Sequence, residues 1–406
     1  MKKFGMLKIV GLVSIFAFSL IFWKIEQEPP MRTLSEQEIV DLLVGSCIQA
    51  TRGAGSASSI RSARQAIADG KEFKIISVED LPDNWMVVGP AGVGGGGAWE
   101  YVTDRIREQN LPRVSNTYIN AINLLSDFIG KKFNAVIRIE PAGAMYTALS
   151  VAAEMGVPLV DACLSGRARP EIQQQIPWTV GIPSTPAALF TRWGDEIIIK
   201  SAVDDYRSED LARAVAVASG GGASMAMNPM SGKDVKRGVI PGNLSDAILL
   251  GKTVREAKEQ GKDTIAALVE VTKGYKLFHG VVTKSDQWGD RGFSWADVEM
   301  KGINEYEGHI YKVFVKNENI VSWFDGEVDV TSPDYIYNLN PETGEAITGG
   351  GLGGYPMERE IVMVGVPAHP MWRTEKGIEV LGPRHFGFDF DYTSIEELQK
   401  KRKKFD

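Results

Sequence analysis

Two stretches of the sequence decide the fold: NAVIRIEPAG at residues 134–143 and PLVDACLSGRARPE at residues 158–171. Each contains an apolar run of strand length, Ala135 to Ile139 in the first and Leu159 to Val160 in the second. The chain between them, Ala144 to Met155, has helical character. A strand, a helix and a second strand at this spacing predict a β-α-β unit with parallel strands.

Each of the two predicted strands ends in a carboxylate, Glu140 in the first and Asp161 in the second. Open α/β sheets bind ligands at the carboxyl ends of their strands, so we expect both acids to be catalytic, with metal binding as another use. Arg167, Arg169 and Glu171 follow the second strand and are candidate substrate-binding residues, because a planar guanidinium suits a substrate carboxylate. The alternative for each residue is a helix cap or a surface ion pair.

The flanking sequence extends this pattern into two domains. Strand-like and helix-like segments alternate up to about residue 265, beginning with a capping box at Ser35 and Glu38. Further on, short β-rich runs are separated by turns rich in Asp, Asn and Gly. The sequence therefore predicts an α/β N-terminal domain with a mostly parallel sheet at 31–265, a β-rich sandwich or barrel at 266–392, and a C-terminal tail at 393–406.

Two glycine-rich segments are candidate ligand-binding segments. Residues 92–97 have the spacing G-x-G-x-x-G between a strand-like and a helix-like segment, which suits a loop that binds an anion. A plain flexible loop is the alternative. The expected anion-binding residues are Gly94, Gly95, Gly96 and Gly97. No acid ends a strand about 20 residues later, so no nucleotide cofactor is expected.

The second glycine-rich segment is GGGASMAMNPMSG at residues 220–232. Many glycines followed by small hydroxyl and amide residues suit a backbone that approaches a ligand closely. The candidate substrate-binding residues of this segment are Gly221, Gly222, Ser224 and Asn228. The chain lacks the G-x-S-x-G motif, so a serine hydrolase of the α/β class is not supported.

The composition excludes several classes of protein. The 406 residues have a net charge of −7, with Lys and Arg scattered except near the C-terminus, so nucleic-acid binding is not expected. Two cysteines, Cys47 and Cys163, and four histidines are too few for a disulfide scaffold or for the usual zinc ligand sets. The sequence leaves open a divalent metal held by carboxylates, and a homo-oligomer.

The first thirty residues have the character of a membrane anchor. Lysines precede an apolar stretch at residues 9–23, which extends back to residue 4 with Lys8 as its interruption and is long enough to span a bilayer. No small-x-small pattern follows it, which favours an uncleaved anchor, and the lysines predict an extracytoplasmic body. The alternative is a start at Met31 and a cytoplasmic protein.

Several separated motifs resemble the S-methyl-thiohydantoin desulfurase-like family, formerly a domain of unknown function associated with hydantoinase and oxoprolinase proteins. In chain order the motifs are IEPAG (139–143), GVPLVDACLSGRARPEI (156–172), GGGASMAMNPMSG (220–232), PGNLSDAILLG (241–251), SPDYIYNLNPETGE (332–345) and GPRHFGFDFDY (382–392). The resemblance runs from about Met31 to Glu397. It implies an α/β domain followed by a β-rich domain, and chemistry on a five-membered cyclic amide or thioamide in which sulfur leaves as water enters.

The chain departs from the family pattern at two places. Members tend to have a glycine run just after the first helix, where this chain has Thr51 to Ser56, and many have a second acid where this chain has Cys163. If both family acids hold a catalytic ion or water, that role is altered or lost here. Cys163 as a replacement nucleophile is a further alternative.

These observations lead to two hypotheses about function. The first is a hydrolase-like enzyme acting on a hydantoin, a thiohydantoin or a related cyclic amide in a polar cleft between the domains. Asp161 and Glu140 would activate water there, and Arg167 or Arg169 would hold an anionic substituent. The second is a membrane-tethered small-molecule binding or accessory protein that has lost catalysis. The sequence does not identify the substrate.

Overall fold

The computed structural model describes residues 29–51, 55–94, 100–141, 143–290, 292–348 and 354–402. These residues form an α/β domain and a β-rich domain. The helices of the described residues are α1 (Glu36–Ile48), α2 (Ala57–Ala68), α3 (Glu100–Gln109), α4 (Thr117–Ile129), α5 (Gly143–Met155), α6 (Ile176–Thr179), α7 (Asp205–Ala218), α8 (Gly232–Gly238), α9 (Asn243–Glu259), α10 (Thr264–Thr272), α11 (Glu375–Leu381) and α12 (Ile395–Arg402).

The strands belong to two sheets. Those of the first sheet are β1 (Arg32–Thr33), β2 (Lys74–Ile76), β3 (Met86–Gly94), β4 (Ala135–Arg138), β5 (Leu159–Cys163), β6 (Ala187–Thr191), β7 (Glu196–Ile199), β8 (Gly222–Ser231) and β9 (Ile240–Pro241). Those of the second sheet are β10 (Tyr275–Asp290), β11 (Phe293–Gly302), β12 (Ile310–Lys316), β13 (Glu318–Phe324), β14 (Glu327–Thr331), β15 (Tyr335–Leu339) and β16 (Glu360–Val366).

The first helix begins at the predicted capping box. The Ser35 hydroxyl accepts the backbone N–H of Glu38 at 3.3 Å, and the Glu38 carboxylate accepts the backbone N–H of Ser35 at 2.9 Å. Further along, α1 packs closely on α9, where a Cβ at Gly45 would lie 1.8 Å from the carbonyl oxygen of Ala247. Glycine is therefore required at this crossing, because any side chain would separate the two helices.

The first sheet is mixed, with the order β1-β2-β5-β4-β3-β8-β6-β7 and with β9 paired to β5. Its centre, β2-β5-β4-β3, is parallel, and β8, β6 and β7 continue antiparallel beyond β3. Buried apolar residues cover both faces of the sheet, which suits strands with helices on each side. The predicted α/β domain is confirmed, including the parallel order of its central strands.

The second sheet is antiparallel throughout, with the order β14-β13-β12-β11-β10-β16-β15, and curves into a half-barrel. Its core contains Phe278, Tyr311 and Met300, which are almost fully buried. The predicted β-rich domain is confirmed. The exact division at residues 265 and 266 stays a prediction, because helices α9 and α10 lie between the two sheets in the sequence.

The expected membrane-anchored location needs a correction. In the described part of the chain no helix is long and apolar enough to cross a membrane. The longest helix there, α9, has 17 residues and carries charged side chains, whereas a bilayer needs about 20 mostly apolar ones. Residues 1–28, which contain the apolar stretch that suggested an anchor, lie outside the described residues.

Candidate functional site

A cleft of about 420 Å³ lies between the two domains, and we call it the interdomain cleft. One wall belongs to the α/β domain: the ends of β3 and β4, the loop at residues 169–172 and one face of α7. The other wall contains Gly292, Ser294, Asn317 and Glu318 of the β-rich domain. The cleft thus lies beyond the carboxyl ends of parallel strands, where open α/β sheets bind ligands.

Glu140 contributes a carboxyl group to the cleft directly after β4. Its Oε2 accepts the backbone N–H of Arg169 at 3.0 Å. Burial raises the pKa of Glu140, although the charge and the backbone N–H of Arg169 act to lower it. A raised carboxyl pKa moves the group toward the range in which it both takes and returns a proton efficiently, so Glu140 has the chemistry of a general acid or base.

Arg169 is held beside Glu140 by its own loop. Its Nη1 donates to the backbone carbonyls of Glu171 at 2.5 Å and Ile172 at 2.7 Å. Its side chain lines the cleft and is almost fully buried, and its Nε has no hydrogen-bond partner among the described residues. The guanidinium is therefore a fixed positive charge at the cleft with donor capacity left over.

Glu171 is a second cleft acid, but its pKa is shifted in the opposite direction from that of Glu140. One oxygen pairs with the ammonium of Lys316, and the other is hydrogen-bonded to Nε2 of His385 at 2.7 Å. Burial acts to raise the pKa of Glu171, but the hydrogen bond from His385 and the charges of Lys316 and His385 outweigh it and lower the pKa to about 2. The Lys316 ammonium also lies 4.3 Å from the ring centroid of Phe293. Glu171 is therefore ionised in the working pH range.

Arg213 on α7 connects the two domains at the cleft. Its Nη1 donates to the carbonyls of Gly94, at 2.6 Å, and of Gly292, at 3.2 Å, in the turn between β10 and β11. Its guanidinium pairs with Glu209, one helical turn earlier, and lies 4.5 Å from the ring of Phe293. These contacts fix the β10–β11 turn against the end of β3.

Four residues of this site did not come from the sequence analysis: Glu209, Arg213, Lys316 and His385. Glu209 and Arg213 are spaced i and i+4 on a helix, a common surface pair that carries no functional signal. Lys316 and His385 belong to segments that are distant from Glu171 in the sequence. His385 lies in the C-terminal motif at residues 382–392, and none of the family motifs contains Lys316.

Arg167 lies away from the interdomain cleft. It is fully buried, and its Nη1 donates to the carbonyls of Pro333 at 2.8 Å and Asp334 at 3.2 Å, while its Nη2 donates to the carbonyl of Asn319 at 3.1 Å. All three acceptors belong to the β-rich domain. Arg167 therefore joins the two domains through backbone groups, and its expected role in substrate binding stays a prediction.

Asp161 also makes contacts of a different kind from those expected. Its Oδ1 accepts the backbone N–H groups of Leu244 at 2.9 Å and Ser245 at 3.1 Å, and its Oδ2 accepts the Ser245 hydroxyl at 2.5 Å. These are the first amides of α9, so Asp161 acts as the N-cap that Gly242 cannot provide. The structure does not bring Asp161 and Glu140 into one cavity, and a catalytic role for Asp161 stays a prediction.

The glycine-rich segments are divided between two places. Gly94 and Gly221 line the interdomain cleft, and Gly94 also lines a neighbouring cavity of about 410 Å³ next to α4, together with Gly222 and Ser224. Gly94 belongs to strand β3 and pairs with Gly222, and Gly95, Gly96 and Gly97 lie outside the described residues. Asn228 is buried, with its amide nitrogen 3.5 Å from the carbonyl oxygen of Pro183.

Cys163 is fully buried, and its thiol lies 3.5 Å from the carbonyl oxygen of Ile139. A nucleophile must reach the substrate, and this sulfur has no exposed surface with which to do so. No group of three or more His, Cys, Asp or Glu side chains that could hold a metal ion occurs within the described residues. The identity of any metal stays unknown.

Comparisons with known proteins agree with the two-domain architecture. Residues 37–201 match the family model described as S-Me-THD-like, N-terminal domain, and residues 203–395 match S-Me-THD-like, C-terminal domain. A crystal structure of a protein from Chromobacterium violaceum matches with a TM-score of 0.69 and 20% identity, covering 90% of this chain and 100% of that chain. At this identity the similarity establishes the fold alone. No curated protein matches.

Proposed function

The chain belongs to the S-Me-THD-like family, and on that premise we propose that it is a hydrolase-like enzyme acting on a cyclic amide or thioamide of the hydantoin or thiohydantoin class. Family membership itself points to thiohydantoin-related chemistry. The observation that carries the proposal is the Glu140 carboxyl group, which has a raised pKa and lies in the interdomain cleft beside Arg169.

In the proposed reaction, Glu140 moves protons between water and the ring. Water adds to the ring carbon that bears sulfur while Glu140 accepts a proton from it. The C–S bond then breaks, and the sulfur leaves as a thiol with a proton returned by Glu140. For an S-alkyl ring with a C=N bond the proton balance closes, because the ring nitrogen takes one proton of the water and the departing thiol takes the other. A ring thioamide instead releases hydrogen sulfide, whose sulfur takes both protons.

The other cleft residues support this chemistry in different ways. Arg169 lines the cleft and supplies a fixed positive charge where negative charge develops on the ring, and the same charge suits an anionic substituent. Glu171 stays ionised and holds Lys316 and His385 in place. Asp161 and Arg167 enter the proposal as residues that position α9 and the β-rich domain.

A second candidate function is small-molecule binding without turnover. Cys163 favours it, because the resemblance to the family implies an acid at this position, and here the side chain is a buried thiol next to the Ile139 carbonyl. Glu140 would then serve only as a hydrogen-bonding partner of the ligand.

The test is turnover of hydantoin, 2-thiohydantoin and S-methyl-thiohydantoin by the wild type and by Glu140→Gln. We expect the variant to lose about 100- to 10,000-fold in kcat, the usual contribution of positioned proton transfer, with an unchanged unfolding midpoint. Asp161→Asn, measured alongside, tests the other predicted acid: full turnover would leave the proton transfer to Glu140 alone, and lost turnover would make Asp161 catalytic as well. Equal turnover by wild type and Glu140→Gln would overturn the mechanism, and ring binding without any turnover would favour the second candidate.

A further inference from the structure

The cavity next to α4 carries polar side chains that the proposed function does not use, and we call it the α4 cavity. Its volume is about 410 Å³, and residues of β3, β8 and α4 line it together with Arg192, in the turn between β6 and β7. Ser224 and Met225 are successive residues of β8, so their side chains point to opposite faces of the sheet. Ser224 lines the α4 cavity and Met225 lines the interdomain cleft. The two cavities therefore lie on opposite faces of the first sheet.

Both glycine-rich segments contribute backbone to this lining, where Gly92 of β3 pairs with Ser224 of β8. A Cβ at Gly92 would lie 3.0 Å from the hydroxyl oxygen of Tyr118, on α4. A Cβ at Gly222 would lie 3.5 Å from Nη2 of Arg192. The glycines thus leave room for the Tyr118 hydroxyl and the Arg192 guanidinium beside the paired strands.

Two hydroxyl groups of the lining are hydrogen-bonded to each other. The side-chain oxygens of Thr117 and Ser224 lie 2.7 Å apart, and Ser224 is only 8% exposed. Each hydroxyl has one proton, and the bond between them uses one of the two protons. Neither hydroxyl has another partner among the described residues. One O–H donor of this pair is therefore left for an occupant of the cavity.

Arg192 and Tyr118 supply further donors. No hydrogen bond or ion pair joins either side chain to another residue in the described part of the chain. The Arg192 guanidinium is exposed and lies 6.0 Å from the ring centroid of Trp193, whose indole N–H donates to the carbonyl of Ser219 at 2.9 Å. The guanidinium thus lies beside a fixed ring, with its N–H groups available to an anion.

The α4 cavity differs from the interdomain cleft in charge. Its described lining residues include an arginine and three hydroxyl groups but no carboxylate, whereas the cleft contains Glu140, Glu171 and Glu209. A cation with hydroxyl donors and no competing acid suits an oxyanion, because hydrogen bonds to a charged acceptor are the strong ones. The same chemistry was predicted from the first glycine-rich segment, of which Gly94 lines this cavity.

We propose that the α4 cavity binds a phosphate group, either the free ion or a small phosphate ester. The Arg192 guanidinium supplies the positive charge, and the hydroxyl groups of Tyr118 and of the Thr117–Ser224 pair donate to the remaining oxygens. A phosphate group offers three or more acceptor oxygens, which matches donors from several elements around the cavity. The volume lies within the roughly 300–1,000 Å³ of small-molecule sites, so a small ester also fits. This site does not depend on the function proposed for the interdomain cleft.

The test is calorimetric titration of the full chain with inorganic phosphate, methyl phosphate and acetate at constant pH and ionic strength. Arg192→Met should weaken phosphate binding about tenfold or more, and Tyr118→Phe about fivefold, the usual effects of losing a charged and a neutral donor. Neither side chain is hydrogen-bonded to another described residue, so both variants should fold, and a melting curve of each checks this. Arg113→Met is the matched control and should bind as the wild type does, because Arg113 also lies 6.0 Å from the Trp193 ring but is not part of the lining.

Two results together support the α4 cavity, whatever the turnover assay shows: phosphate binding that Arg192→Met and Tyr118→Phe weaken, and wild-type affinity in Arg113→Met. Methyl phosphate that binds more tightly than inorganic phosphate then identifies an ester as the ligand, and the reverse order identifies the free ion.

Four results overturn the inference. An equal loss in Arg192→Met and Arg113→Met would show that surface charge in general attracts the anion. Wild-type affinity in both cavity variants, or no measurable binding of either phosphate compound, would leave the cavity to water. Acetate that binds as tightly as phosphate would exclude specificity for a phosphate group. Phosphate binding that only Glu140→Gln reduces would place the anion in the interdomain cleft.

Discussion

Strands β4 and β5 are neighbours in one sheet, and a carboxylate follows β4 while another lies within β5, yet the two groups have different surroundings. Glu140, after β4, lies in the interdomain cleft with a raised pKa and one backbone N–H bond. Asp161, in β5, gives both oxygens to the first residues of α9. The oxygens of Asp161 are thus used to cap α9, whereas the Glu140 carboxyl group lies in the cleft.

The two arginines that follow β5 show the same contrast. Arg167 donates hydrogen bonds to three backbone carbonyls of the β-rich domain. Arg169, two residues later, lines the cleft, and its Nε has no partner among the described residues. The chain turns just before both residues, at Gly166 with φ +68. Two positions of one loop, separated by one residue, therefore differ in their contacts: Arg167 joins the domains, and Arg169 is available for the ligand binding that we propose.

The largest expected loss of stability follows substitution of Arg167, and it tests the difference between the two arginines. Arg167→Met should lower the free energy of unfolding by roughly 3–5 kcal/mol, because several buried carbonyls lose their donor at once. Arg169→Met should lower the free energy of unfolding by clearly less, because the carbonyl groups that accept from Arg169 belong to its own loop. Urea unfolding of both variants measures the difference. Equal losses of unfolding free energy in the two variants would contradict the different roles given to Arg167 and Arg169.

A smaller effect concerns the pH dependence at Glu171. Its pKa falls from the ordinary 4.5 to about 2 on folding, so its ionised form contributes about 3 kcal/mol, fully present above about pH 4.5 and lost as the pH falls toward 2. The stability difference between wild type and Glu171→Gln should therefore narrow between pH 6 and pH 3. Denaturant unfolding at several pH values measures it, and a constant difference would contradict the assigned contacts with Lys316 and His385.

The smallest effect is expected at Asp161. Asp161→Ala should cost about 1 kcal/mol, the usual value of an N-cap, because the first amides of α9 lose their acceptor. Glu140→Gln, measured alongside, should cost less at neutral pH, since burial disfavours the ionised form of Glu140. Thermal unfolding of both variants checks the order. A larger loss of stability in Glu140→Gln than in Asp161→Ala would contradict a structural role for Asp161 and a functional one for Glu140.

Much of the fold was predictable from local sequence. The apolar runs before Glu140 and Asp161, the helical segment between them and the capping box at Ser35 all depend on short-range patterns, and each corresponds to an element of the structure. The change to short strands separated by polar turns likewise predicted the antiparallel second sheet. The position of Glu140 and Arg169 at the carboxyl edge of the sheet followed from the same β-α-β order.

The sequence by itself determined the element types, the two-domain order and which segments meet at the sheet edge, because these depend on neighbours in the chain. Tertiary structure decided which polar groups remain available. Asp161 caps α9 because this helix, about eighty residues later in the sequence, packs with its N-terminus against β5. Lys316 and His385 contact Glu171 from segments that lie far from it in the sequence. Such partners are set by packing between elements far apart in sequence, which no local pattern records.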